Sequence, residues 1–192
     1  MSRIELIIGP MFSGKTSLLI AKMERFTRAH KKCVIIKHAD DTRYSEQFIC
    51  THNHHVCDDI PTLCADAINA DIIGKTAEYN VIGIDELHLF DHGITTNQNI
   101  TTSVGIIEQF ASRGQIVIIT GLDSNYNRDP FAIVSLACTR ASNIIKCLAV
   151  CACGADAIFT RRIRADSEYV ASEVGGCDKY EPCCAACYHG LR

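Results

Sequence analysis

The sequence predicts an α/β protein: a parallel sheet with helices on both faces, followed by a small cysteine-rich lobe. Three observations carry that prediction. Short β-branched runs alternate with segments of helical spacing, a glycine-bearing turn joins the first run to the first helix, and seven of the twelve cysteines crowd the last quarter of the chain.

Ile4-Glu5-Leu6-Ile7-Ile8 reads as a buried parallel strand, and Leu18, Leu19, Met23 and Phe26 recur behind it at helical spacing. Between them stands Gly9-Pro10-Met11-Phe12-Ser13-Gly14-Lys15-Thr16, which fits G-x-x-x-x-G-K-[ST] in the strand-to-helix setting where that motif has physical meaning. Gly9 and Gly14 let backbone N–H groups turn inward around phosphate oxygens, and the new helix adds its positive end. Lys15 is then expected to reach the β- and γ-phosphates of ATP, with the Thr16 hydroxyl on Mg²⁺.

Cys33 to Lys37 reads as a second strand, with Ala39 to Tyr44 as the loop leaving its C-terminal end, where open α/β sheets bind ligands. Val81 to Ile84 is a third. The spacing predicts a helix over 102–110 with Arg113-Gly114 as its stop, then a fourth strand over 116–120 that opens into Leu122 to Tyr126. Beyond Ile144-Ile145 the pattern changes to short strands, Gly175-Gly176 and cysteines, which predicts a nucleotide-binding domain over 1–146 and a lobe over 147–192.

Two stretches are decoys. Gly74-Lys75-Thr76 also spells GKT, but the position five before Gly74 is Asn69 and no strand is expected ahead of it. Cys50 to Cys57 holds two cysteines and three histidines, yet adjacent histidines on a strand point to opposite faces and no C-x₂-C knuckle is present, so a polar hairpin is expected there instead of a metal site.

With 192 residues, 47% of them apolar, the chain can bury a sizeable core. Its longest apolar runs are far too short to span a bilayer, and a strand that begins almost at Met1 leaves no room for a signal peptide, so a cytoplasmic protein is expected. A net charge of −3 without a long basic block argues against a nucleic-acid surface. Twelve cysteines in such a compartment should be reduced, which favours a metal in the C-terminal cluster over disulfides. The scattered Cys33, Cys50, Cys57 and Cys64 read as small buried hydrophobes.

Val81 to Glu86 has the form of a strand that delivers an acid to the sheet edge beside the phosphate loop. Asp85 would hold Mg²⁺ there. Glu86, one step on, can take a proton from an acceptor hydroxyl or orient a water, so these residues alone leave kinase and ATPase both open.

The resemblance to a known family bears on that choice. The phosphate loop, Asp41-Thr42-Arg43-Tyr44, Cys50-Thr51-His52, Ile82-Gly83-Ile84-Asp85-Glu86 and Gly175-Gly176-Cys177-Asp178-Lys179-Tyr180 resemble, in order and spacing along nearly the whole chain, the cellular and poxvirus-type (type II) thymidine kinases. The resemblance implies a RecA-like P-loop domain with a zinc-bearing lobe, and transfer of the ATP γ-phosphate to the 5′-hydroxyl of thymidine. It implies that Glu86 is the base and that Arg43 helps neutralise the phosphates. It further implies that Met11, Leu122, Tyr126, Phe131 and Thr160 surround the nucleobase, with a loop around Val174, Gly175 and Tyr180 folded over it. A homotetramer and feedback inhibition by dTTP belong to the same implication, while acceptance of deoxyuridine beside thymidine is left open by the sequence. The alternative, a P-loop ATPase or nucleic-acid-dependent motor, would need a basic groove that the sequence lacks. A non-catalytic zinc module is disfavoured by the presence of Lys15, Thr16, Asp85 and Glu86 together.

Two departures from the family are informative. Leu87-His88-Leu89-Phe90 follows the acidic pair where a small residue, Gln and two aromatics are usual, so Leu89 stands where an aromatic normally contacts thymine. Cys184-Ala185-Ala186-Cys187 is a clean C-x₂-C knuckle, but its partner pair is C-x-C, because Val150 occupies the position three before Cys153. The expected zinc ligands are therefore Cys151, Cys153, Cys184 and Cys187, with Cys147 and Cys183 in reserve.

Overall fold

The computed structural model describes residues 3–41, 49–50, 56–57, 59–91, 97–163 and 177–191. Six strands form one parallel sheet: β1 (Arg3–Ile8), β2 (Cys33–His38), β5 (Thr62–Ala65), β6 (Val81–Ile84), β7 (Ile116–Gly121) and β8 (Asn143–Lys146), in the order β5-β2-β6-β7-β1-β8. A two-residue hairpin, β3 (Ile49–Cys50) with β4 (Val56–Cys57), pairs antiparallel, as the sequence predicts for that stretch. Its tip, with His52, His54 and His55, lies outside the described residues.

The alternation of side chains along each strand divides the core into two layers. Leu6, Val34, Ile36, Ile82, Ile84, Val117 and Ile119 face one way, onto Phe90, Val104, Ile107, Phe110, Ile133 and Val134. Those partners come from a 3₁₀ turn (Leu87–Phe90), α3 (Asn97–Ser112) and α4 (Ala132–Cys138). Ile7, Ile35, Val81 and Ile118 face the other way, onto Leu19, Ile20 and Met23 of α1 (Lys15–Arg28). Each fully buried aliphatic side chain contributes about 1.5–3 kcal/mol, so these two layers supply most of the stability.

The sequence pattern misses several short elements here, β5, β8 and α4 among them. β5 and β8 are four-residue edge strands, and α4 is too short to establish a helical period. Because β5 ends at Ala65, a strand does precede Gly74-Lys75-Thr76, contrary to expectation. Gly74 and Lys75 nevertheless close α2 (Ala70–Lys75), whose exposed carbonyls at that end repel phosphate. Cys33 is buried as expected, but Cys64 is exposed, because β5 is an edge. α3 does stop before Gly114, which takes φ +88°.

After β8, two short antiparallel strand pairs and a single-turn helix make up the described part of the lobe. β9 (Ala149–Val150) pairs antiparallel with β10 (Asp156–Ala157), and β11 (Phe159–Arg162) pairs with β12 (Tyr180–Cys183), which runs into α5 (Ala185–Tyr188). The lobe's own core is small: Ala149, Cys151, Ala157, Cys183 and Cys184. Among the described residues no helix is long and apolar enough to cross a membrane.

Candidate active site and metal centre

The phosphate loop leaves the C-terminal end of β1. Gly9 takes φ +147°, and a Cβ there would lie 2.3 Å from the Cys147 carbonyl oxygen, so no larger residue fits where the loop passes the start of the lobe. Gly14 caps α1 in a left-handed conformation with φ +76°. Ser13 Oγ donates to the Pro10 carbonyl at 2.8 Å, and the Lys15 ammonium folds back onto the same oxygen at 2.7 Å. Burial pushes the Lys15 pKa below its ordinary value, against the pull of the Glu86, Asp85 and Asp123 carboxylates.

The start of α1 and the end of β7 converge on Asp85, which follows β6. The Thr16 hydroxyl lies 3.2 Å from Asp85 Oδ1, and the Thr120 hydroxyl, from the end of β7, donates to the same oxygen at 2.5 Å. Thr120 Oγ1 also accepts the Glu86 N–H at 3.0 Å, so one threonine holds both acidic residues in register. A hydroxyl and a carboxylate converging in this way are the hard oxygen ligands that suit Mg²⁺. Glu86 takes φ +51° and ψ +52°, a strained conformation for a non-glycine residue, which turns its side chain out of the strand direction. That side chain is 12% exposed, and its Oε2 lies 3.4 Å from His88 Nδ1.

Thr120 and His88 were invisible to motif reasoning. A single threonine ending a strand carries no pattern, although a polar residue closing an otherwise apolar run is a weak signal. His88 is buried, accepts the Leu122 N–H at 3.2 Å and packs 4.9 Å from the Phe131 ring centroid. It thereby ties the turn after Glu86 to Leu122 and Phe131.

The nucleoside residues named from the resemblance come from several elements. The Met11 N–H donates to buried Thr160 Oγ1 at 3.0 Å, joining the phosphate loop to β11. Tyr126 faces buried Tyr180, ring centroids 6.2 Å apart, with the Arg162 guanidinium 5.5 Å over its ring. Buried Asn125 pins the loop that carries Tyr126, because its side-chain oxygen accepts the N–H groups of Asn127 and Asp129, each at 2.9 Å. Leu89 is half-buried on the 3₁₀ turn, its N–H bonded to the Glu86 carbonyl at 2.9 Å. Arg43, Val174 and Gly175 lie outside the described residues.

At the far side of the lobe, Cys151, Cys153, Cys184 and Cys187 bring their four Sγ atoms within 4.8 Å of one another. The C-x-C pair works because Cys151 to Ala155 form a tight turn: the Cys151 N–H bonds the Ala155 carbonyl at 2.9 Å, the Gly154 N–H bonds the Cys151 carbonyl at 2.8 Å, and Gly154 takes φ +85°. Cys153 and Cys184 sulfurs are 3.7 Å apart. Tetrahedral thiolates on zinc at about 2.3 Å would stand about 3.8 Å apart, so the donor set fits a zinc and is too open for a disulfide. Hydrogen bonds from the backbone at Cys153 and Cys184 lower the Cys151 thiol to about 6, whereas the neighbouring Cys153 and Cys184 side chains push Cys187 up to about 12. Of the reserve candidates, Cys147 packs under the main sheet, and buried Cys183 belongs to the lobe core without entering the four-sulfur group.

A family model for thymidine kinase matches residues 2–188. The chain is 35% identical over 187 residues to the human protein "Thymidine kinase, cytosolic", covering 97% of this chain and 73% of that protein. It is 36% identical over 192 residues to "Thymidine kinase 1" of Dictyostelium discoideum (97% and 78% covered). The "Thymidine kinase" of Bacteroides thetaiotaomicron is 37% identical over 192 residues (99% and 88% covered).

Proposed function

Since this chain belongs to the thymidine kinase family, we propose that it transfers the γ-phosphate of ATP to the 5′-hydroxyl of thymidine, giving dTMP and ADP. The observation that carries the reading is the hydrogen-bonded set Thr16–Asp85–Thr120–Glu86, which puts a metal-binding pair and a carboxylate side by side next to Lys15. An ATPase could use the same set, but the family's acceptor is thymidine and that alternative is not favoured.

The phosphate loop and Lys15 hold the triphosphate, and Lys15 exchanges the Pro10 carbonyl for phosphate oxygens. Thr16 and Asp85 hold Mg²⁺, which supplies positive charge against the phosphate oxygens. Glu86 accepts the 5′-hydroxyl proton as that oxygen attacks the γ-phosphorus and ADP departs. Arg43 neutralises charge spreading over the transferring group. Met11, Leu89, Leu122, Tyr126, Phe131, Thr160 and Tyr180 form the nucleoside pocket, with Val174 and Gly175 on the loop covering it. Cys151, Cys153, Cys184 and Cys187 would hold a zinc whose role would be structural, since four thiolate ligands would leave no open position for chemistry. The chain divides functionally into 1–146 and 147–192. A cytosolic homotetramer, with dTTP as feedback inhibitor and deoxyuridine as a second acceptor, completes the reading on family grounds.

The test is a phosphate-transfer assay over a panel of nucleosides with ATP and Mg²⁺. Thymidine should be the preferred acceptor. ATP hydrolysis without a phosphorylated nucleoside would overturn the proposal.

A further inference from the structure

Tyr188 lies on α5, one residue beyond the last knuckle cysteine, and its phenol reaches out of the lobe. It donates to the Tyr126 carbonyl at 3.0 Å. Its ring is held from two sides: the Phe159 centroid is 5.2 Å away, and the Arg128 guanidinium sits 4.9 Å over the Tyr188 ring and 5.6 Å over that of Phe159. Arg128 Nη1 also lies 3.4 Å from His189 Nε2. Arg128 belongs to the same loop as Tyr126 and takes φ +72°, a conformation a non-glycine residue keeps only when its surroundings hold it. The end of the knuckle helix and the tip of the nucleoside loop are therefore joined by the Tyr188 hydrogen bond, the Arg128–Tyr188 cation–π stack and the Arg128–His189 contact.

α5 is a single turn, too short to hold its own shape in water. Its start is defined by the knuckle itself, where Cys184 Sγ accepts the Cys187 N–H at 3.4 Å. Whatever fixes the four sulfurs fixes the direction in which Tyr188 points. We infer that Tyr188 is a positioning residue through which metal loading of the knuckle sets nucleoside affinity. The inference rests on the nucleoside pocket described above. By this route Tyr188 passes the knuckle's order to the loop that carries Tyr126, without the metal needing an open coordination position. Among the described residues Tyr188 makes no hydrogen bond to the phosphate loop, which meets the lobe through Met11 and Thr160, so the ATP KM serves as the control.

Tyr188→Phe removes the hydroxyl and keeps the ring. In the metal-loaded enzyme it should raise the thymidine KM about three- to tenfold, the worth of one net hydrogen bond, with kcat, the ATP KM and metal stoichiometry close to parental. Arg128→Gly keeps the left-handed backbone accessible and should act in the same direction. The two together should raise KM by less than the product of the single effects. Binding linkage is reciprocal, so saturating thymidine should slow metal release to a chromogenic chelator in the parent and lose that effect in Tyr188→Phe. An unchanged thymidine KM in Tyr188→Phe overturns the inference, as does an equal rise in the ATP KM, a loss of metal, or undiminished protection by thymidine. A parent enzyme that phosphorylates no nucleoside overturns the pocket itself, and is told apart because it needs no variant.

Discussion

The phosphate end and the nucleoside end of the site both join residues far apart in sequence, but different things hold them. Thr16, Asp85 and Thr120 meet because β1, β6 and β7 are neighbours in a parallel sheet whose register is set along both faces by buried Ile, Leu and Val. Tyr126 and Thr160 meet their partners across a lobe whose core is alanine and cysteine. Such side chains bury little apolar area, and a single-turn helix with two short hairpins is below the size that stands alone. The difference teaches that the acidic pair and Thr120 are held by the sheet's own packing, whereas the residues on the lobe side rest on a small core in which the four-cysteine group is the main candidate for added order.

The largest break in this contrast should come from the sheet side. Glu86→Gln keeps size and fold while removing the base, so kcat should fall about 10²–10⁴-fold with near-normal ATP binding. Turnover within a few-fold of the parent would show that another group takes the proton. Next comes the lobe. Cys184→Ser should bring metal content from about one per chain towards zero and raise the thymidine KM more than the ATP KM, while Cys183→Ser, outside the four-sulfur group, should keep the metal. Metal analysis under reducing, chelator-free conditions reads this directly, and a metal-free parent would end the zinc assignment.

Thr120→Val is isosteric and sharpens the comparison within the sheet. Removing the hydroxyl that bridges Asp85 and the Glu86 N–H should lower kcat roughly tenfold, with a smaller change in stability, because one buried hydrogen-bonding group is lost at each partner. Kinetics equal to the parent's would mean that the strand ends hold Asp85 without it. The smallest effect is expected at Leu89→Phe. An aromatic wall beside the base should tighten thymidine binding by a few-fold, on the order of 1 kcal/mol. A higher thymidine KM in a folded variant would place Leu89 away from the base.

The positions that were legible in sequence are those that a local pattern marks. Gly9 to Thr16 needed only its spacing and the flanking strand and helix, and the apolar run before Asp85-Glu86 marked the acidic pair, while the choice between kinase and ATPase came from the family resemblance. Thr120 and His88 were illegible because a single polar residue acquires a role only from its neighbours across the sheet, and no local period marks it. Cys64 was misjudged for the same reason: whether a strand is central or an edge depends on its partners, and the short β5 shows nothing of its place.

By itself, then, the sequence determined the parallel α/β architecture, the phosphate loop, the acidic pair and the Cys184–Cys187 knuckle, because periodicity and fixed spacing are properties of consecutive residues, whereas Cys151 and Cys153 were named through the family resemblance. Only the tertiary structure decided that Thr120 couples the two acids, that Glu86 is turned into a left-handed conformation, that the C-x-C turn closes the sulfur cluster and that Tyr188 grips the Tyr126 loop. Each of these is a contact between segments brought together by the burial of apolar faces, and contacts of that kind are specified by the whole core and not by the residues that make them.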